Sequence, residues 1–386
     1  MTRRRTRSVI ILAGELVVAF AVWRQVTGSG PAYRLTSDLG RYFTIVTHGG
    51  TPYRDFAVEY PPGALALFWL LGRSSFDAFV HHMLLVNFAC EAVVAAICFR
   101  GWGSRAGWSY VLLSTPLLVI VYSRYDLIVL AIAVAGSFLF ARRQHTAAGL
   151  MWIVAALVKP WPLVLVPGLA ARRHVRAFVI AIAAGACSLG AWVVWAGSEG
   201  PRQVLTYRDA KGWEAASVPG SLLRVFTRDP VRFESGSWRL GAPSTVWAVL
   251  LCVCLVVAIA STWWYRANHR VTDGVPEVVV IAATLTFVTL LSPQFVVWML
   301  PWVAIAASKG AVRIERWAAV VVVLTLVGWA LFDVNHAGRL CTEVAFLARN
   351  VALVGLLITA VTELGREQTV RWSHSRTQQP SYRAAR

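Results

Sequence analysis

The sequence is short of acid, short of charge and without any ordered run of metal ligands. Acidic residues number 19 against 37 lysines and arginines, and charged residues make up only 15% of the 386. Soluble globular proteins carry roughly a quarter. A pair of soluble domains, which the length alone would allow, is excluded because no long polar stretch exists to form them. The six cysteines show no Cys-x-x-Cys spacing, and five lie in apolar runs where a thiol is a small hydrophobe, so neither a zinc or redox motif nor a disulfide framework is expected. His81 and His82 are adjacent and cannot share a helix face as ligands would. No metal and no cofactor are expected. The net charge of +18 sits in short clusters between apolar runs, not in one stripe, which argues against a nucleic-acid partner.

What the sequence does have is apolar length. Hydrophobic residues make up 57%, and a helix needs about 20 of them to cross the hydrocarbon core. Candidate spans fall at 8–26, 76–99, 107–122, 126–141, 175–196, 244–265, 276–291, 294–308, 317–332 and 343–361. The first follows Arg3, Arg4, Arg5 and Arg7, and reads as a span in preference to a cleaved signal because it is long, holds Glu15 and lacks a small-x-small site. One further apolar stretch, 147–171, is broken by Lys159-Pro160-Trp161-Pro162. Prolines remove helix donors and disfavour helix in the residue before them. The stretch is therefore expected to form two half-helices that enter and leave on the same side. That reading puts Arg100 and Arg105, Arg142 and Arg143, Arg172, Arg173 and Arg176, Arg266 and Arg270, and Lys309, Arg313 and Arg316 all in inside turns, as the positive-inside rule requires.

The expected fold is an all-α, multi-pass membrane bundle, with about ten crossings plus the re-entrant pair. Both termini would be cytoplasmic, in a single domain over 1–365 and a disordered basic tail over 366–386. Two long outer connections follow, 27–75 and 197–243; the first contains Pro61-Pro62-Gly63 and an apolar segment, Ala64 to Leu71, too short to span and read as an interfacial helix. Connections of that length are often functional.

Five constellations carry chemistry-bearing residues. The first outer loop holds Asp38, Tyr42, Tyr53, Asp55, Glu59 and Tyr60; a carboxylate there suits general-base work on a hydroxyl, and the rings suit sugar faces. Arg124 and Asp126 flank Tyr125. They either pair with each other, or Arg124 offers its planar fork to a phosphate. Lys159 sits at the helix break; it either snorkels to an interface or contacts a phosphate in a cavity, where broken helices are tolerated. Arg208 and Lys211 lie in the second outer loop. Ser292-Pro293-Gln294 precedes a span, Ser292 capping the helix with Pro293 at its first position. Glu91 lies within a span with an unknown partner, and His336 reads as a hydrated loop histidine.

In this order the pattern resembles the integral membrane glycosyltransferases of the GT-C superfamily. It is most similar to glycosyltransferase family 87, the type that uses polyprenyl-phosphate mannose. The shared elements are Asp38 with Tyr42, Pro52 to Phe56 with Glu59-Tyr60-Pro61-Pro62, Arg124-Tyr125-Asp126, Lys159-Pro160-x-Pro162, the Tyr207 to Ser217 segment and Ser292-Pro293-Gln294-Phe295. The resemblance implies inverting sugar transfer on the outer face of the plasma membrane. The donor would be a polyprenyl-phosphate sugar, mannose by analogy, and the acceptor an envelope glycolipid or polysaccharide. Asp38 would be the base; Arg124, Lys159, Arg208 and Lys211 would meet the phosphate. Tyr42, Tyr53, Asp55, Glu59, Tyr60, Asp126, Ser292 and Gln294 would complete the substrate contacts. Two departures stand out: Ala216 occupies a position where the family usually has glutamate, and Val297, Trp298 and Met299 stand where some members carry a histidine pair. A transporter or flippase of a lipid-linked sugar is the rival reading, and an inactive scaffolding member the third; outer-loop carboxylates and charges gathered toward one end favour the enzyme.

Overall fold

The computed structural model describes Arg24 and residues 37–206, 212–227, 229–234, 236–242, 245–335 and 340–377. The candidate span 8–26 therefore lies outside the described residues, apart from Arg24. The fold is a helical membrane bundle. Six helices are long and apolar enough to cross a bilayer: α3 (Phe76–Trp102), α4 (Ser104–Val121), α8 (Val175–Ala196), α11 (Thr245–Asn268), α14 (over Val312–Phe332) and α15 (over Leu340–Arg366). Shorter apolar helices fill in between them: α2 (Pro62–Leu71), α5 (Asp126–Ala141), α6 (His145–Val158), α7 (Trp161–Ala171), α12 (Val275–Phe287) and α13 (Pro293–Ser308).

Burial divides these elements. Nearly every residue of α12 and α13 is buried, and they form the centre. In α8 and α11 only 17% and 6% of the most apolar window is buried, and Val179, Leu189, Val249 and Val256 are exposed. An apolar surface of that kind is what hydrocarbon solvates.

The half-helix pair forms as its sequence demands. Lys159 ends α6 in extended conformation, and α7 returns from Trp161. The two open ends meet, with the His145 and His174 rings stacked at 3.4 Å between centroids, and Arg172 ties the end of α7 to Asp273 in the turn before α12 at 2.9 Å. A break of this kind leaves carbonyls unpaired at membrane depth. The indole of Trp263 donates to the Val164 carbonyl at 2.9 Å and repairs one of them. The short basic turns all come to this end of the bundle, where Arg105 also contacts Glu315.

The opposite end is more structured than the sequence suggests. Within 27–75 a helix, α1 (Asp38–Thr47), starts at Ser37, whose Oγ accepts the Gly40 N–H at 3.1 Å; Asp38 then occupies the first turn, where a negative charge suits the helix dipole. The apolar segment after Pro61 does form α2, half-buried through Leu65, Phe68 and Leu71. Within 197–243, read from sequence as a long outer connection, lie α9 (Glu199–Leu205), α10 (Val218–Phe226) and a three-stranded antiparallel sheet in the order β1 (Trp213–Glu214), β3 (Ser237–Leu240), β2 (Arg232–Glu234), with Trp213 opposite Leu240 and Phe233 opposite Trp238. The final helix, α15, runs from Leu340 to Thr377. The intramembrane Glu91 finds its partners in Tyr110, at 2.5 Å, and Ser114, at 2.7 Å.

Gly63 explains the glycine of the Tyr-Pro-Pro-Gly segment. A Cβ there would lie 2.5 Å from the Leu157 carbonyl oxygen and 3.0 Å from the Val158 nitrogen. Only a glycine lets α2 rest directly on the last turn of α6, beside Lys159. Gly63→Ala is expected to push the two elements apart and cost about 1–3 kcal/mol, read as a lowered unfolding midpoint of the purified protein. An unchanged midpoint would refute the contact.

Candidate active site

The site gathers where the turns between α4 and α5, α6 and α7, and α12 and α13 meet the two long connections. The α4–α5 turn is fixed from below by the fully buried Asn87, which donates to the Tyr122 and Arg124 carbonyls at 2.8 and 2.7 Å. That grip aims Arg124 at α1, and its guanidinium pairs with the Asp38 carboxylate. Both side chains stay partly open, 27% and 33% exposed, at the mouth of the site. Arg124 and Asp126 therefore do not neutralise each other, as one sequence reading allowed.

Asp126 turns inward. Its Oδ1 accepts from the Lys159 ammonium at 2.7 Å and from the Trp298 indole at 2.6 Å. The Lys159 Nζ also lies over three rings, 4.3 Å from the Phe295 centroid, 4.9 Å from Tyr125 and 5.0 Å from Trp298. Each such contact favours the cation, and more so when desolvated. Lys159 is thus held in the interior and does not snorkel; its side chain is 14% exposed.

Between the two ion pairs lies a floor of rings. Tyr42 stacks on Phe68 at 4.4 Å and meets Tyr60 and Tyr125 edge-on at 5.4 and 5.5 Å. Tyr42 is nearly buried, and Tyr60 is half-buried. Tyr53 and Asp55 do a different job. Tyr53 adopts φ +68°, donates its hydroxyl to the Tyr60 carbonyl at 2.5 Å and packs on Trp192 and Trp195. Asp55 caps its own turn by accepting the Thr51 N–H at 2.6 Å. Glu59 is 2% exposed and is gripped by Arg41 at 2.9 and 3.2 Å. All three help hold the first connection in shape through these contacts, while Asp55 stays exposed beside them.

Ser292 precedes α13 as its cap residue but forms no side-chain cap bond, so its hydroxyl is not spent on the helix as sequence suggested. Gln294 is buried with no hydrogen-bond partner on its Oε1. Arg208 and Lys211 lie outside the described residues.

Sequence reasoning missed the links between the two connections. Gln203 of α9 accepts the Val58 N–H and donates to the Tyr53 carbonyl, both at 2.9 Å. Glu214 of β1 accepts the Leu291 N–H beside Ser292. From α15, the buried Arg349 donates to the Ala216 carbonyl, and Asn350 donates to Ala216, Ser217 and Ser221 at 2.8–3.1 Å. Ala216 thus joins the site through its backbone. A polar residue within a span was the available signal for Arg349 and Asn350. Among the described residues no group of three or more His, Cys, Asp or Glu is placed to hold a metal ion.

A model of glycosyltransferase family 87 matches residues 58–293. The chain belongs to that family. The match takes in Tyr60, Arg124, Asp126, Lys159 and Ser292, while Asp38 and Tyr42 lie just ahead of it. No curated protein matches the chain. Among solved structures the family 87 chain is similar to the crystal structure of ArnT from Cupriavidus metallidurans in the apo state, with 16% identity, a TM-score of 0.43, and coverage of 95% of this chain and 78% of that one.

Glu214 gives the site a pH signature. Burial pushes its carboxyl up to about 7, against the Leu291 N–H and the charges of Arg239, Arg349 and Arg124, which lower it. A carboxyl that binds its proton more tightly folded than unfolded stabilises the fold fully below its unfolded value of about 4.5, and this contribution is lost as pH rises through about 7. The loss is roughly 3 kcal/mol at 1.36 kcal/mol per unit. Unfolding midpoints of the wild type are expected to fall across that window, and those of Glu214→Gln to stay flatter; parallel curves would contradict the assignment.

Proposed function

We propose that this family 87 glycosyltransferase moves a sugar, mannose by family analogy, from a polyprenyl phosphate to an envelope glycolipid or polysaccharide on the outer face of the plasma membrane, with inversion at the anomeric carbon. The observation that carries the reading is the pair of separated carboxylate–cation contacts, Asp38 with Arg124 at the mouth and Asp126 with Lys159 below, joined by an aromatic floor. The basic turns gathered at the opposite end support an orientation with that end in the cytoplasm.

In the reaction the acceptor hydroxyl oxygen attacks the anomeric carbon while Asp38 takes the hydroxyl proton. The bond from that carbon to the phosphate oxygen breaks, and its electron pair leaves with the phosphate. A phosphate leaving group needs charge stabilisation more than protonation. Arg124 is the partly open cation and supplies it first, exchanging the Asp38 carboxylate for the phosphate. That exchange frees the base as the donor arrives. Lys159, already dehydrated and fixed by Asp126, adds a second positive charge where the low dielectric makes it count. Tyr42, Tyr60 and Tyr125 supply ring surface for the sugar and the first isoprene units, and the unspent Ser292 hydroxyl and Gln294 Oε1 are free to take sugar hydroxyls. By family analogy, Arg208 and Lys211 are further candidates to meet the phosphate.

The test is transfer by the reconstituted protein from radiolabelled polyprenyl-phosphate mannose to a cell-envelope lipid extract. Asp38→Asn is expected to lower kcat roughly 100-fold or more, the scale of a lost general base, with the KM for donor little changed. Transfer undiminished by the substitution would sink the base assignment; no transfer by the wild type from any lipid-phosphate sugar would favour the flippase. Arg124→Lys, which keeps charge but loses the fork, is expected to raise the donor KM roughly tenfold, and an unchanged KM would remove Arg124 from the phosphate.

A further inference from the structure

At the end of the bundle opposite Asp38 lies a cavity of about 510 Å³ that the transfer reaction does not use. Three guanidiniums line it, from Arg143, Arg172 and Arg266, facing two carboxylates, Asp273 and Glu277. The balance is positive. Arg172 is tied to Asp273 at 2.9 Å, whereas Arg143 has no ion pair among the described residues and sits exposed at the rim. Arg266 is the informative one. Its side chain is only 4% exposed, and its contacts to Asp273 and Glu277 are both long, 3.5 Å. Its Nη1 is buried with no hydrogen bond, and so is the Nδ1 of His145 on the same wall. The Glu277 Oε2 on the same lining is likewise buried without a partner; dehydrated polar atoms left unpaired are costly, and a hydrogen phosphate in the cavity, with acceptor oxygens and one P–O–H, would answer the guanidinium and the carboxylate together. The inner wall is aromatic, from Trp102, Phe140, Trp152 and Trp302.

We propose that this cavity is a second binding site, for a phosphate group, with Arg143, Arg172 and Arg266 as its cationic contacts. The guanidinium fork matches phosphate oxygens two at a time, and the site lies at the end of a membrane bundle, at the level where lipid phosphates reside. Basic pockets between membrane helices take anionic head groups in this way. The aromatic wall suits a phosphate carried on an apolar body, though a free phosphorylated solute offers the same oxygens. The inference stands apart from the transfer reaction at the other end, since none of its residues is shared.

Purified full-length protein in phosphatidylcholine nanodiscs tests the site, with spin-labelled phosphatidic acid as the probe and inorganic phosphate as competitor. The wild type is expected to immobilise the probe, and Arg143→Gln with Arg172→Gln to weaken it roughly tenfold or more, as the loss of charge-assisted bonds implies. Both residues are surface-accessible, so the double variant is expected to keep the wild-type unfolding midpoint. Arg313→Gln with Arg316→Gln removes the same charge from the exposed start of α14 and is expected to leave binding unchanged. Competition by inorganic phosphate would identify the bare phosphate as sufficient; its failure to compete would identify the lipid as the source. No immobilisation by the wild type, or equal loss in both double variants, would overturn the proposal.

Discussion

Lys159 and Asp126 form the interaction on which the rest of this end of the molecule depends. The pair joins the start of α5 to the break between α6 and α7, and the Trp298 indole on the same carboxylate oxygen ties in α13. Taking one partner from such a pair leaves a buried charge uncompensated, at a cost of about 3–5 kcal/mol. The broken helix is tolerable because this pair fills the break. Gly63 lets α2 close against it, and Trp263 answers one of the carbonyls that the break exposes.

The carboxylates at the site end divide into distinct roles through their partners. Glu59 is buried against Arg41, and Asp55 accepts the Thr51 amide on one oxygen while staying exposed. Glu214 is buried against Leu291 and joins the second connection to the start of α13. Asp126 is committed to Lys159. Asp38 is different: its partner, Arg124, is itself partly open, so a competing anion can separate them. On the proposed reading, Asp38 is a base held by an exchangeable cation above the fixed Lys159, so that donor binding would prepare the chemistry.

Much of this was legible in the sequence, and the illegible part has a physical reason. The apolar helices follow from apolar length, although only six of those described are long enough to cross, and the break between α6 and α7 follows from Pro160 and Pro162; His145 stacked on His174 brings the far ends of the two half-helices together. The family was legible in the order of short motifs. What the sequence hid were polar contacts between distant segments. Nothing local to Gln203 announces that it will hold Val58 and Tyr53, nor does Asn87 announce its grip on Arg124. The small sheet was missed because its strands are two to four residues long, too short for an alternating pattern to register. The Arg41 contact on Glu59 was hidden too, because spacing does not show whether a partner reaches a carboxylate.

The central claim is that donor phosphate and Asp38 compete for Arg124. A cryo-electron-microscopy structure of the protein with polyprenyl phosphate bound tests it most directly. The account predicts the phosphate on Arg124 and near Lys159, with Asp38 released and turned toward the acceptor space while Asp126 keeps Lys159. A phosphate bound elsewhere, with the Asp38–Arg124 pair intact, would contradict it.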